Sequence, residues 1–175
     1  KKDCFPPKSK KISFEVEAVE IENYQTQNVI GYIKGSEIPD SFVVISAHYD
    51  HLGKMGSIYF PGANDNASCI SLLLELAHHF KQHPPRFSVV FMAFGAEEAG
   101  LIGSNYYTKN PLFPLKDIRF LINLDLLGTG EEGITVVNAT QHPKEFDILT
   151  SINDQNSFLK TIKKRGPKSE EQTSE

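Results

Sequence analysis

Two adjacent glutamates, Glu97 and Glu98 in "FGAEEAG", follow directly on the apolar run "FSVVFMAF". Two carboxylates at the end of a buried strand repel one another unless a positive charge lies near them, and a divalent metal supplies that charge. Neighbouring residues at a strand-to-helix junction point in different directions, so one can bind a metal while the other serves as a general base toward an activated water. The plainer account is a helix start at "EEAGLIGS", where negative charge favours the N-terminal end of the helix dipole.

Three further segments carry the same types of donor. "SAHYDH" holds His48 and Asp50 two positions apart on nearly extended chain, so that both point to one side, as a metal ligand and its orienter would; a surface His-x-Asp at a strand end is the alternative. His51 reads as a structural residue. "FPGANDNASC" places Asp65 in a turn before a helix, either as an N-terminal cap or as a carboxylate with two oxygens that can bridge two cations. "FLINLDLLGTG" puts Asp125 after an apolar strand, where an unpaired acid is costly to bury, so a ligand or a cap is expected. His78 and His79 on a helix, and His83 and His142 beside prolines, read as solvent-facing.

Such residues, far apart in sequence, need a scaffold that brings them together. The runs "SFVVISA", "FSVVFMAF" and "IRFLINL" are almost continuously apolar, the pattern of strands covered on both faces. Between the first two lies "NASCISLLLELAHHFKQH", with Ile70, Leu73, Leu74 and Ala77 at helical spacing, and "SNYYTKN" and "PLKD" leave room for another helix before the third. Strand and helix alternating in this way imply an α/β fold: a central, largely parallel sheet covered by helices on both faces. Ligands bind beyond the carboxyl ends of strands in such sheets, and each of the three runs ends in a metal-binding type of side chain. "ISFEVEAVEIE" and "NVIGYIKG" read as two earlier strands of a hairpin or meander, "GITVVNA" as a later strand, and "PKEFDILTSINDQ" as a helix with Pro143 in its first turn.

The chain of 175 residues, 39% hydrophobic, suits one globular unit. We expect a polar leader over residues 1–10, a folded domain over 11–163 and a polar, disordered tail over 164–175. A net charge of −4 offers no footprint for nucleic acid. Two cysteines, Cys4 and Cys69, build neither a disulfide framework nor a cysteine zinc cage. No apolar run approaches the roughly 20 residues that cross a bilayer. The first residue is Lys1 and not Met, as in an excised or processed piece. Asn66 and Asn138 begin glycosylation-type triplets, and a glycan on Asn66 would crowd Asp65.

Taken together, "SAHYDHLG", "FPGANDNAS", "AFGAEEAGLIGS" and "INLDLLGTG" resemble the zinc-dependent aminopeptidase family with two co-catalytic metals, over about residues 12–165. That family includes bacterial aminopeptidases, glutamate carboxypeptidases, the catalytically silent transferrin receptor and, more distantly, glutaminyl cyclases. The resemblance implies a three-layer, phosphorylase/hydrolase-like sandwich with a mixed, largely parallel sheet, here truncated at its C-terminal side. It implies that His48 and Asp125 bind one zinc, Glu98 the other, that Asp65 bridges both across a cis Asp65-Asn66 peptide, that Asp50 stands behind His48, and that Glu97 is the base acting on a zinc-activated water. The implied activity is removal of N-terminal residues from a peptide or amino-acid amide, in an extracytoplasmic location: periplasmic, secreted or surface-attached. The family's last metal ligand, a histidine after the segment resembling "IKKRG", has no counterpart in "GPKSEEQTSE". The second zinc would then have only Asp65 and Glu98 and be the weaker, with activity impaired. A catalytically inactive binding module and a one-zinc glutaminyl cyclase are the other readings that the resemblance leaves open, as it does oligomeric state.

Overall fold

The computed structural model describes residues 13–15 and 21–167. The proposed leader, most of "ISFEVEAVEIE" and most of the tail lie outside the described residues. "NVIGYIKG" forms β1, Val29–Ile33. The apolar runs form β2, Ile38–His48, then, after other elements, β5, Phe87–Phe94, and β6, Ile118–Asn123. Their order in the sheet is β1-β5-β2-β6. β2 lies parallel to both β5 and β6, whereas β1 runs antiparallel to β5 at one edge. The sheet is therefore mixed and mostly parallel.

Its two faces are covered separately. α1, Ser68–Gln82, puts Cys69 and Leu73 onto Ile45, Ala47, Val89 and Phe91. On the other face, α2, Ile102–Lys109, puts Tyr107 onto Val44, Val90 and Met92. Successive strand residues point to opposite faces, and with a helix on each face both sets must be apolar, which is why the central strands show no alternation. Fully burying a Val, Leu, Ile, Phe or Met side chain among these contributes about 1.5–3 kcal/mol. Two details differ from the sequence reading. The α1 face uses Leu76 and Phe80 beside Leu73, while Leu74 is exposed. β6 lies at the sheet edge with Leu121 and Ile122 exposed, so among the described residues only β2 and β5 are covered on both faces.

The remaining elements are small. A hairpin of β3, Gly53–Met55, and β4, Ile58–Phe60, follows β2 and leads to a turn at Ala63–Ala67. "GITVVNA" supplies β7, Ile134–Val136, which pairs with β8, Ile162–Lys164, and not with the main sheet. α3, Pro143–Asn156, begins at Pro143 as expected.

The join between β5 and α2 is tight. The Asn28 side chain donates to the Gly103 carbonyl at 2.9 Å and accepts the Gly95 N–H at 3.2 Å. A Cβ on Gly103 would fall onto the Gly95 carbonyl and Asn28 Oδ1. Gly103→Ala should cost about 1–3 kcal/mol, the usual range for overpacking. Gly31→Ala, with open space around its Cβ, should change stability by less than about 0.5 kcal/mol. Urea denaturation midpoints of the two variants check this.

Candidate metal centre

β2 and β5 end level with one another, with His48 opposite Phe94, so the chain leaving each strand emerges at the same place. His48 is the last residue of β2, and its side chain is only 7% exposed. Its Nδ1 lies 3.1 Å from the Asp50 backbone carbonyl, which can only accept, so Nδ1 carries the proton and Nε2 faces the cluster. Nε2 is 3.1 Å from Asp65 Oδ1, 3.8 Å from Asp125 Oδ1 and 3.9 Å from Glu97 Oε2.

The orienter of His48 is thus the Asp50 carbonyl, with the Asp50 carboxylate farther away at 3.8 Å. That carboxylate has other partners: its two oxygens accept the backbone N–H groups of Glu97 and Glu98, at 3.0 and 3.1 Å. Asp50 therefore fixes the backbone that carries the glutamate pair. The pair does not begin a helix, since α2 starts only at Ile102.

Asp65 sits in the turn before α1 and is joined to Asn66 by a cis peptide, in agreement with the resemblance. Its side chain is not an N-terminal cap for α1; it faces both imidazoles, with Oδ1 toward His48 and Oδ2 4.0 Å from His51 Nδ1. Asn66 is buried, which leaves no room for a glycan there. Its amide donates to the Leu124 carbonyl at 3.1 Å and accepts from the Leu126 N–H at 3.3 Å, so it holds the chain on both sides of Asp125. Asn64 likewise accepts the Gly128 N–H at 2.7 Å. Ala96, just before Glu97, and Leu126, just after Asp125, both have φ 55°. Residues other than glycine adopt that region at a cost of about 1 kcal/mol or more, and here it turns the chain sharply beside each acid.

Sequence reasoning missed two residues. Asn66 resembled a glycosylation site, and nothing in the sequence revealed its contacts with a segment some sixty positions away. His51, read as structural, stands with Nδ1 2.7 Å from Glu98 Oε1. The hint was that it follows His48 by three residues in the same loop. Two trios of donors result, each within 4.8 Å: His48, Asp65 and Asp125, and His51, Asp65 and Glu98. Imidazole and carboxylate donors in this mixture suit zinc, and the crowding of acids around so few positive groups fits a cation.

An α/β domain with imidazoles and carboxylates gathered beyond the carboxyl ends of parallel strands belongs to the class of metal-dependent hydrolase-like folds. More narrowly, the chain belongs to peptidase family M28, whose model matches residues 28–172. It is 42% identical over 113 residues to aminopeptidase YwaD of Bacillus subtilis, an alignment covering 63% of this chain and 24% of the relative. A solved zinc aminopeptidase from Bacillus subtilis superimposes with a TM-score of 0.63 at 31% identity, covering 79% of this chain and 34% of that one. A glutaminyl cyclase from an Acidobacteriales bacterium shares the fold, with a TM-score of 0.63 at 22% identity over 79% of this chain and 50% of that one. The chain spans about a quarter of the length of curated relatives that it matches. Among the described residues, no helix is long and apolar enough to cross a membrane.

Glu97 has a distinctive electrostatic setting. Burial holds its carboxyl above the ordinary carboxylate range; His48 pulls it down, and Glu98, Asp125 and Asp50 push it further up. A carboxyl whose pKa is higher in the folded than in the unfolded chain binds its proton more tightly when folded. Its contribution to stability is present at low pH and is lost as pH rises from the unfolded pKa through the folded one. Glu97→Gln carries no charge at any pH. The metal-free variant should therefore melt above the metal-free wild type at neutral pH, with the gap closing toward about pH 4. A melting difference that stays constant over that range would contradict the assignment.

Proposed function

We propose that the chain carries the metal-dependent hydrolytic centre of a peptidase that removes N-terminal residues from peptides or amino-acid amides. The observation that carries the reading is the position of Glu97: its carboxylate borders the His48, Asp65 and Asp125 trio, and its backbone is pinned by Asp50. Membership of family M28 and the likeness to zinc aminopeptidases support zinc as the metal.

His48, Asp65 and Asp125 would hold one zinc, and Asp65 with Glu98 would take part in holding a second. When bound, zinc polarises the scissile carbonyl and lowers the pKa of water. The rest of the chemistry falls to this chain's own groups. Glu97 Oε2 accepts the proton of the attacking water and passes it to the leaving amine, so the C–N bond breaks with a neutral leaving group. Asp50 keeps the Glu97 backbone still during the transfer and, through its carbonyl, keeps His48 Nε2 aimed at the site. Asp125 and Asp65 keep negative charge close to the imidazole, which favours cation binding.

Retention of this whole set in one place supports hydrolysis over a silent binding module, which has no use for a general base beside a cation site. The likeness to a glutaminyl cyclase is one of fold. Resemblance to the zinc aminopeptidase family supports an extracytoplasmic location, periplasmic, secreted or surface-attached.

Hydrolysis of chromogenic amino-acid anilides should be abolished by a chelator and restored by zinc. Glu97→Gln should lower kcat by about 10²–10⁴-fold with zinc content unchanged. Chelator-resistant turnover, or full activity in Glu97→Gln, would reject the reading. Asp50→Ala leaves two backbone N–H groups without their acceptor and should lower kcat at least tenfold while KM changes little, checked on the same substrates.

A further inference from the structure

We infer that His51 is a metal ligand, supplying Nδ1 to a second cation site whose other donors are Asp65 Oδ2 and Glu98 Oε1. This rests on the proposed metal dependence and goes beyond it in giving the second cation an imidazole from this chain.

The arrangement around Asp65 is near-symmetric. One oxygen faces His48 Nε2 at 3.1 Å, and the other faces His51 Nδ1 at 4.0 Å. Each imidazole then meets a further acid, Asp125 for His48 and Glu98 for His51. A proton on His51 Nδ1 can serve one acceptor well, and at 2.7 Å it serves Glu98; the facing oxygen of Asp65 is left at 4.0 Å. A cation at the centre of the trio would serve all three donors, whose atoms lie within 4.8 Å of one another. Imidazole and two carboxylates are an ordinary donor set for zinc, which completes four-coordination with water or substrate.

The ring is also held in place. Phe60 packs its ring edge to face against His51, with centroids 6.4 Å apart. A Cβ on Gly62 would come within 3.1 Å of His51 Cβ and 3.2 Å of Cγ, so the absence of a side chain there leaves room for the imidazole. The side chain of His51 is 22% exposed, and that of Glu98 24%. The short chain from β2 to β3 thus carries two imidazoles, His48 and His51, one for each oxygen of Asp65.

The rival role for His51 is that of a simple hydrogen-bond donor to Glu98, and the geometry separates the two. Nδ1 is attached to Cγ, as are the oxygens and nitrogen of Asp and Asn side chains. His51→Asp therefore puts a ligand atom near the place of Nδ1 but removes the donor, while His51→Asn keeps a donor and is a poor zinc ligand. Zinc titration calorimetry of the full chain, with zinc content by mass spectrometry after desalting, reads the outcome. Wild type should hold two zincs. His51→Ala and His51→Asn should keep the first and weaken the second at least tenfold, while His51→Asp keeps both. Circular dichroism of each metal-free variant shows whether it is folded.

Two zincs held by His51→Asn as in wild type would overturn the inference, as would loss of the second zinc from a folded His51→Asp. Those results leave the proposed hydrolysis standing. Conversely, the ligand pattern without chelator-sensitive turnover would reject the hydrolytic reading and leave His51 as a ligand.

Discussion

Carboxylates repel, and the organisation of this domain is governed by holding four of them against that repulsion. Asp65, Glu97, Glu98 and Asp125 meet around two imidazoles at one edge of the sheet. At separations of a few ångströms, unscreened like charges in a partly buried site oppose one another strongly. Two things keep them in place. The backbone is fixed by hydrogen bonds between segments distant in sequence, and a cation at the centre would offset the repulsion. Asp65 is the shared member, with one oxygen on each side, so the two donor trios are coupled through it.

The sheet supplies the first part. β2 and β5 are parallel, with residues 44–48 and 88–92 buried, so their carboxyl ends lie level and cannot slide: a one-residue slip would turn Val44, Ile45, Val90 and Phe91 to the wrong helices. Beyond those ends, polar side chains tie each acid-bearing loop to its neighbour. Asp50 holds the chain at Glu97 and Glu98, Asn28 holds Gly95 and Gly103, and Asn66 and Asn64 hold the segment from Leu124 to Gly128. These bonds link segments distant in sequence, and removing one would loosen an acid without touching it.

That division explains what could be read from the sequence. The parallel core was legible because strand segments covered on both faces must be largely apolar, as residues 42–47 and 87–94 are apart from Ser46 and Ser88. The donors were legible because carboxylates and a histidine at the ends of apolar strands are chemically conspicuous. β6 looked like the other two runs but lies at an edge, since periodicity reports what a strand could bury and not what packs on it. Asn66 and His51 were not legible as site residues. An asparagine that braces a loop sixty positions away has no local signature, and a histidine three residues after another in a turn has no preferred direction until the turn is built. Asp50 was recognised as a support for the site, but its carboxylate grips the Glu97 and Glu98 backbone and its carbonyl orients His48.

The central claim is that Asp65 lies between two cation positions. Anomalous diffraction at the zinc absorption edge, from crystals of the zinc-loaded chain, tests it most directly. The account predicts two peaks flanking the Asp65 carboxylate, one beside His48 and Asp125 and the other beside His51 and Glu98. A single peak on the His48 side, or zinc bound away from Asp65 altogether, would contradict it.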